Sequence, residues 1–337
     1  MKRVGGLFDR IWSYDNLVLA ARRAQVGKRY RPEVLRFNYR REDELHRLSD
    51  ELRRQEWRPQ GHRHFQIFEP KLRWISAAPY RDRVVHHALC NVIEPVLDRR
   101  LIFDCWANRR GKGTHRAVLR YQGYTHRFRF ALKMDIRKYF PSIDHALLKR
   151  QLARVFKEPE LLSLMGAIID RGEVPEPHAG YFPGDDLFTP YERPKGLPIG
   201  NLTSQLWANT YLSGFDHWVG QDLSAPAYLR FVDDFILLHD CKTVLAEWVS
   251  AIRRQLERLR LSVHPRKCVI RRTAEGVPFL GYVVWPDRVR VRGATVRRYR
   301  KRWRRLQVSD PVKARQSRAA WQGHIQLAGT WRRRTLH

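Results

Sequence analysis

Apolar residues in the first part of the chain recur at helical spacing. Leu17, Ala20, Ala21 and Ala24 mark one side of a helix over 14–26. Phe37, Leu45, Leu48 and Leu52 mark a second, from about 38 to 56, with charges filling its other face. HFQIFEP and KLRWISAAP then read as two short strands around Pro70 and Lys71, a β-hairpin carrying Lys71 and Arg73. Residues 81–98 return to helical character. Their adjacent His86 and His87 fall on different helix faces and do not read as a ligand pair.

The period changes to two over 127–136. Phe128, Phe130, Leu132 and Met134 alternate with Arg129, Ala131, Lys133 and Asp135, which predicts a strand with one inward face, ending at an acid. A helix over 144–156 follows, with Asp144 placed as its N-cap. Residues 172–195 are rich in Gly and Pro and read as a loop or insertion without evident chemistry. A helix is expected over 204–218. AYLRFVDDFILLHD (227–240) predicts strand–turn–strand with two acids at the turn, and 242–261 another helix. VPFLGYVVW (277–285) and RVRVRG (288–293) read as short strands, and the remainder as helix. There is no internal repeat.

Length and charge narrow the class. A chain of 337 residues with 43% hydrophobic positions can bury a sizeable core and divides into two or three subdomains. The four cysteines stand far apart without zinc or redox spacing, no apolar run reaches spanning length, and MKRVGGLFDRIW lacks a leader's apolar stretch. The expectation is a reduced cytoplasmic protein without a membrane partner. A net charge of +31 calls for a polyanion, most simply nucleic acid. From Arg288 onward 16 Lys or Arg face one acid, Asp310, with Trp303, Trp321 and Trp331 interleaved. That mixture suits phosphate neutralisation together with stacking.

An Asp-Asp pair alone is a weak signal, because Asp favours turns. Here Arg230-Phe231-Val232 and Phe235-Ile236-Leu237-Leu238 flank the pair with strand-forming residues, and adjacent anions in such a setting repel unless a cation intervenes. Asp135 ends a second strand. Three carboxylates from two strands match the needs of a two-metal phosphoryl-transfer site, with ions about 3.5–4 Å apart. The plain alternative is a turn plus a surface Asp.

The order of motifs goes further. MDIRKYFPSID, GLPIGNLTSQ, RFVDDF, and PRKCVI followed by VPFLGY resemble, in order and spacing, the motifs of reverse transcriptases over about residues 35–305. Ile199 before Gly200 and Gln205 after Ser204, with RDRVVHHALCNVIEP and RRGKGTHRAV upstream, are similar to enzymes of bacterial and phage diversity-generating retroelements. Phe231 stands where Tyr is commoner. Retron, intron-derived and phage-defence reverse transcriptases, and a non-catalytic RNA-binding protein on the same scaffold, are the rivals.

The resemblance implies an α+β fold with an α/β palm, a right hand of fingers and N-terminal helices (1–126), palm (127–286) and small basic thumb (287–337). It implies RNA-directed DNA polymerisation with two Mg²⁺, replaceable by Mn²⁺. Asp135 and Asp233 would be principal ligands, Asp234 the third acid and the Ile136 carbonyl an extra ligand. Lys71 and Arg73 would meet the triphosphate and incoming base, or serve only groove electrostatics. Phe140 would gate the sugar, or be plain core. Ile199, Gly200 and Gln205 would cradle the nascent pair. Ile199 lacks the hydrogen-bonding group of Gln in accurate relatives, which implies error-prone copying, unless Ile199 merely packs. Lys267 resembles a general acid for pyrophosphate, and Phe279, Leu280, Gly281 and Tyr282 resemble a primer grip. As partners the resemblance implies an RNA template, a DNA or RNA primer and dNTPs, and, in its diversity-generating branch, a small basic accessory protein. About thirty residues follow the end of the resemblance near residue 305, and the expectation is that they leave no room for an RNase H or endonuclease domain.

Overall fold

The computed structural model describes residues 2–68, 72–172, 174 and 180–328. Its contacts divide the chain into two units. One holds residues up to Ile102, Ile136–Trp218 and Arg253–Ser262; the other holds Phe103–Asp135, Val219–Ile252 and Val263 onward.

The first unit is mostly helical. The helix Tyr14–Ala24 buries Leu17, Ala20, Ala21 and Ala24 against the long helix Tyr80–Asp98. Polar ties pin the pair: the Tyr80 hydroxyl donates to the Ala21 carbonyl at 2.9 Å, and the Asn16 amide to the Ala88 carbonyl at 3.0 Å. The helix expected over 38–56 is two helices, Pro32–Tyr39 and Arg41–Arg53, parted at Arg40 (φ −118°, ψ 38°). Phe37 belongs to the first and meets Tyr80 edge-to-face at 5.0 Å. Leu45, Leu48 and Leu52 form a separate stripe on the second. Strands β1 (Arg63–Phe68) and β2 (Leu72–Ala77) form the expected hairpin as a two-stranded sheet of their own. Lys71 lies outside the described residues.

Asp144 caps the helix His145–Ala153 as expected, accepting from the Leu147 amide at 2.8 Å. It also pairs with Arg193 at 3.0 Å, and Asp185 pairs with Arg260 at 2.5 Å and Arg193 at 3.5 Å. The described part of the 172–195 insertion is therefore held by ion pairs and carries the short helix Thr189–Glu192. The helix expected over 204–218 is also two, Leu202–Tyr211 and Ser213–Gln221.

The second unit is built on an antiparallel sheet of β3 (Phe130–Asp135), β4 (Ala227–Phe231), β5 (Asp234–His239) and β6 (Val269–Arg272), in the order β4-β5-β3-β6. Only one face of β3 was expected to be covered, and both are. Leu132, Met134, Phe235 and Leu237 are fully buried on one side. On the other, Ala131, Leu229, Ile236 and Leu238 pack with Val118 and Tyr121 of the helix Thr114–Thr125 and with Phe279 and Tyr282. Full burial of each large apolar side chain contributes roughly 1.5–3 kcal/mol, so two covered faces fix the register firmly.

VPFLGYVVW, read as one strand, is a hairpin of β7 (Val277–Phe279) and β8 (Tyr282–Val284), with β9 (Val289–Val291) alongside. Leu280 (φ 47°) and Gly281 (φ 91°) form its two-residue turn, the left-handed pair that suits strand twist in tight hairpins. Two helices follow, Gly293–Ser309 and Pro311–Ile325, the second capped by Asp310, which accepts from the Lys313 amide. Among the described residues no helix is long and apolar enough to cross a membrane.

Candidate active site

Strand pairing in the second unit assembles the three candidate carboxylates. Asp135, the last residue of β3, lies directly opposite Asp234, the first of β5. Directly paired residues of antiparallel strands project from the same face, so these two acids are neighbours. Phe231 pairs with Asp234 across β4–β5, which leaves Val232 and Asp233 as a two-residue turn. Asp233 thus sits at the tip beside both other acids.

Val232 has a φ of 59°, a conformation that costs a β-branched residue on the order of 1–3 kcal/mol. Arg230 supports it. Its fully buried guanidinium donates to the Val232 carbonyl at 3.0 Å. The Arg230 backbone is bonded on both sides, amide to the Asp104 carbonyl and carbonyl from the Trp106 amide, each at 2.9 Å. Arg230→Met keeps length but removes the donor. It is expected to cost about 1–3 kcal/mol for the orphaned carbonyl, read as a lowered denaturant midpoint; an unchanged midpoint would show that the turn holds without it.

Electrostatics at the tip are dominated by burial. Burial, with Asp135 beside it, pushes the Asp233 carboxyl up to about 6. Burial likewise raises Asp234 to about 6, against the pull of Lys133. Two lysines oppose the crowding of charge. Lys133 Nζ lies 2.9 Å from Asp234 Oδ2 and also donates to the Pro278 carbonyl at 3.0 Å. Lys267 Nζ lies 2.7 Å from Asp135 Oδ2. The Asp135 carbonyl accepts from the His264 amide at 2.7 Å, which anchors the turn carrying Lys267.

Three carboxylates supply the hard oxygen donors that Mg²⁺ prefers. Asp234 Oδ1 is buried without a hydrogen-bond partner, a position a cation would satisfy. The residues therefore fit a divalent ion. The lysines compete for the same oxygens, and among the described residues no three acid, His or Cys side chains are already gathered as a ligand set.

The Phe279–Tyr282 segment belongs to the same unit. The ring of Phe279 is buried and Lys133 lies 5.7 Å from its centroid. The Tyr282 hydroxyl reaches the carbonyl and Nδ1 of His324 on the helix Pro311–Ile325. A Cβ on Gly281 would meet the His324 ring at 3.3 Å, so this turn and that helix pack closely.

The remaining candidates lie in the first unit. Ile136 is buried, and Phe140 is half-buried in the helical turn Tyr139–Ser142, edge-to-face with Tyr139 at 5.8 Å. Ile199 is half-buried, Gly200 exposed with φ 120°, and Gln205 half-buried in the first turn of Leu202–Tyr211. Arg73 is exposed on β2, on the same strand face as Ile75, against which Gly200 lies. Ile199 and Gly200 thus lie against β2, the strand that carries Arg73.

Sequence reasoning passed over Lys133 and Arg230. Lys133 had a signal, since alternation puts it on the Asp135 face two residues earlier. Arg230 had none beyond its place in a strand.

With this geometry in view, the comparisons with known proteins are decisive on one point. A family model described as reverse transcriptase (RNA-dependent DNA polymerase) matches residues 66–284, well over half of the chain. This chain belongs to the reverse transcriptase family. The match runs from within β1 to the end of β8 and includes all three acids. Protein YkfC of Escherichia coli K12 is 25% identical over 283 residues, covering 71% of this reverse transcriptase and 70% of YkfC. The putative COX1/OXI3 intron 1 protein of Saccharomyces cerevisiae is 23% identical over 177 residues, covering 52% of the chain and 20% of that protein. The corresponding intron 2 protein is 20% identical over 269 residues, covering 62% and 30%. Telomerase from Candida albicans, in complex with a fragment of telomeric RNA, shares the fold: TM-score 0.51, 14% identity, 71% of this chain and 46% of that one. The chain spans less than a third of either yeast protein and under half of the telomerase chain. None of these relatives is named for a diversity-generating retroelement, so the branch expected from Ile199 and Gln205 has no specific link among them.

Proposed function

We propose that this reverse transcriptase is an active RNA-templated DNA polymerase of the intron-encoded type. The observation that carries the reading is the acid tip of the sheet, with Asp135 opposite Asp234 and Asp233 in the turn between β4 and β5. Two of the relatives are named as intron proteins, which supports that branch over a diversity-generating retroelement.

In the reaction a primer 3′-hydroxyl attacks the α-phosphate of a dNTP. The new phosphodiester bond forms as the bond to the β-phosphate breaks and pyrophosphate leaves. Asp135 and Asp233 would hold two Mg²⁺ ions, with Asp234 as third acid and the Ile136 carbonyl as a further ligand; Mn²⁺ shares the preference for oxygen. Bound ions supply activation of the hydroxyl and neutralisation of the triphosphate. The chain's own groups supply the rest. Lys267 gives a proton to the leaving pyrophosphate from its place beside Asp135. Lys133 steadies Asp234 and, through Pro278, the β7–β8 hairpin that carries the primer end at Phe279, Leu280, Gly281 and Tyr282. Arg73, with Lys71, meets the triphosphate, and Ile199, Gly200 and Gln205 line the nascent pair. We assign fingers to 1–126, palm to 127–286 and thumb to 287–337.

The test is extension of oligo(dT) on poly(rA) with dTTP and Mg²⁺, abolished by chelation. RNA binding without extension would leave a non-catalytic RNA-binding protein on this scaffold.

Phe140 provides a sharper check. A ring under the incoming sugar clashes with a 2′-hydroxyl. Phe140→Val should raise ribonucleotide use relative to deoxyribonucleotide by about tenfold, a difference of about 1.4 kcal/mol in transition-state binding. Single-nucleotide incorporation kinetics measure it; an unchanged ratio reduces Phe140 to a packing residue.

A further inference from the structure

We propose that Asn201 is a positioning residue: it latches the Ile199–Gly200 turn to the root of the β1–β2 hairpin, and so sets the affinity for the incoming dNTP. The inference rests on the polymerase reading above and gives a role to a residue that lies within GLPIGNLTSQ but was assigned none there.

The hairpin needs such a latch. It is a two-stranded sheet by itself, and β1 is exposed at every position but one. An isolated two-stranded hairpin is marginal in water, because so little apolar surface is removed from solvent. What fixes its orientation must act at its base, and the contacts there are polar. The Asn201 carboxamide is only 4% exposed and reaches both legs. Its Nδ2 donates to His62 Nε2 at 2.8 Å, just before β1. Its Oδ1 accepts from the Ala78 amide at 3.4 Å, just after β2.

Neighbouring contacts extend the tie. The Ser76 amide donates to the Ile199 carbonyl at 3.0 Å, so the turn continues the pairing of β2. Ser76, itself buried, shares its hydroxyl with His64 Nδ1 at 2.9 Å, joining the two strands again. Gly200, at φ 120°, lies so close to Ile75 that a Cβ would stand 3.0 Å from its Cγ2. Arg73 is two residues along the same face. A cationic arm for the triphosphate and the turn that cradles the base pair are thereby held in one register.

The chemistry requires an amide. Asn offers one donor and one acceptor on a short stem. Asp would present two acceptors and no donor, so its contact with His62 would need a proton on the ring's Nε2. Ala would lose both bonds, leaving the Ala78 amide without its acceptor. Misplacing a substrate-holding arm by about 1 Å costs affinity and orientation without removing any catalytic group.

The experiment compares wild type with Asn201→Ala, His62→Leu and His62→Gln on poly(rA)/oligo(dT), varying dTTP. Asn201→Ala and His62→Leu are each expected to raise KM for dTTP about tenfold, with kcat within about threefold and primer–template Kd unchanged. His62→Gln, which keeps an acceptor for Asn201, should restore near-wild-type KM. The Asn201→Ala/His62→Leu double variant should be no worse than its singles, as partners in one contact are. Amide exchange at Ser76 and Ala78 should quicken in Asn201→Ala. An unchanged KM, additive singles, or a uniform fall in kcat, template affinity and melting temperature would overturn the latch. Should Asn201→Ala fail to fold, the two His62 variants decide alone. Should wild type itself fail to extend, the polymerase reading falls, and amide exchange still decides whether Asn201 holds the hairpin.

Discussion

Asp233→Asn is expected to abolish primer extension while making the ion-free protein more stable. The loss follows from removing an anionic ligand of similar shape, and should amount to roughly three orders of magnitude or more in kcat. The gain follows from burial. The Asp233 carboxyl is raised from the ordinary carboxylate range to about 6 by desolvation and by Asp135. A carboxyl that holds its proton more tightly folded than unfolded makes ionisation a cost to folding. That cost is absent below about pH 4, grows as pH rises towards 6, and is full above it. Asparagine removes it, so the variant should melt higher than wild type at pH 8 by about 1–2 °C, equivalent to about 1 kcal/mol after discounting for partial exposure. The difference should vanish near pH 4. RNA affinity should persist, since it rests on Lys and Arg elsewhere. Full extension by the variant would sink the assignment of the site; a lower melting point at pH 8 would show that Asp233 is structurally favourable.

The second large effect belongs to the helix Gly293–Ser309, which carries seven Lys or Arg and no acid. Arg297, Arg300, Lys301 and Arg304 are all exposed. If they neutralise phosphates, duplex affinity falls linearly with salt on a log–log plot, with a slope of about −0.9 per contact for B-form DNA. Replacing these four by Gln should flatten the slope by up to about 3.6 and weaken binding roughly a hundredfold or more at low salt. Deleting the segment would be a poorer test, because Tyr282 and Gly281 pack against the following helix through His324. A salt slope equal to wild type would move the nucleic-acid surface elsewhere. Trp331 and the last arginines, singled out for the same role, lie outside the described residues.

Local chemistry made much of this fold legible. The strand ending at Asp135 follows from a period-two apolar run and stands as read; the strand–turn–strand after Ala227 also forms, but its turn is Val232-Asp233 and the second acid, Asp234, opens β5. The Asp144 cap was equally local. Breaks without a punctuating residue were not legible: nothing at Arg40 or Leu212 marks a helix end, and tertiary packing decides where Phe37 and Leu45 point. The Leu280-Gly281 turn was hidden because Leu occupies a left-handed position that usually takes Gly or Asn. Side-chain pairs distant in sequence were beyond reach. Lys133 meets the Pro278 carbonyl, Asp185 meets Arg260 and Asn201 meets His62, and each pairing exists only once the chain has folded. The insertion at 172–195 looked inert for that reason.

The two lysines at the acid tip carry a consequence for ion entry. Lys133 and Lys267 hold Asp234 and Asp135 at contact distance, so the protein brings its own counter-charges to its most crowded anionic point. A divalent ion held by these acids would have to compete with the two ammonium groups for carboxylate oxygens, and an ammonium group so released would be a positive charge available to a triphosphate.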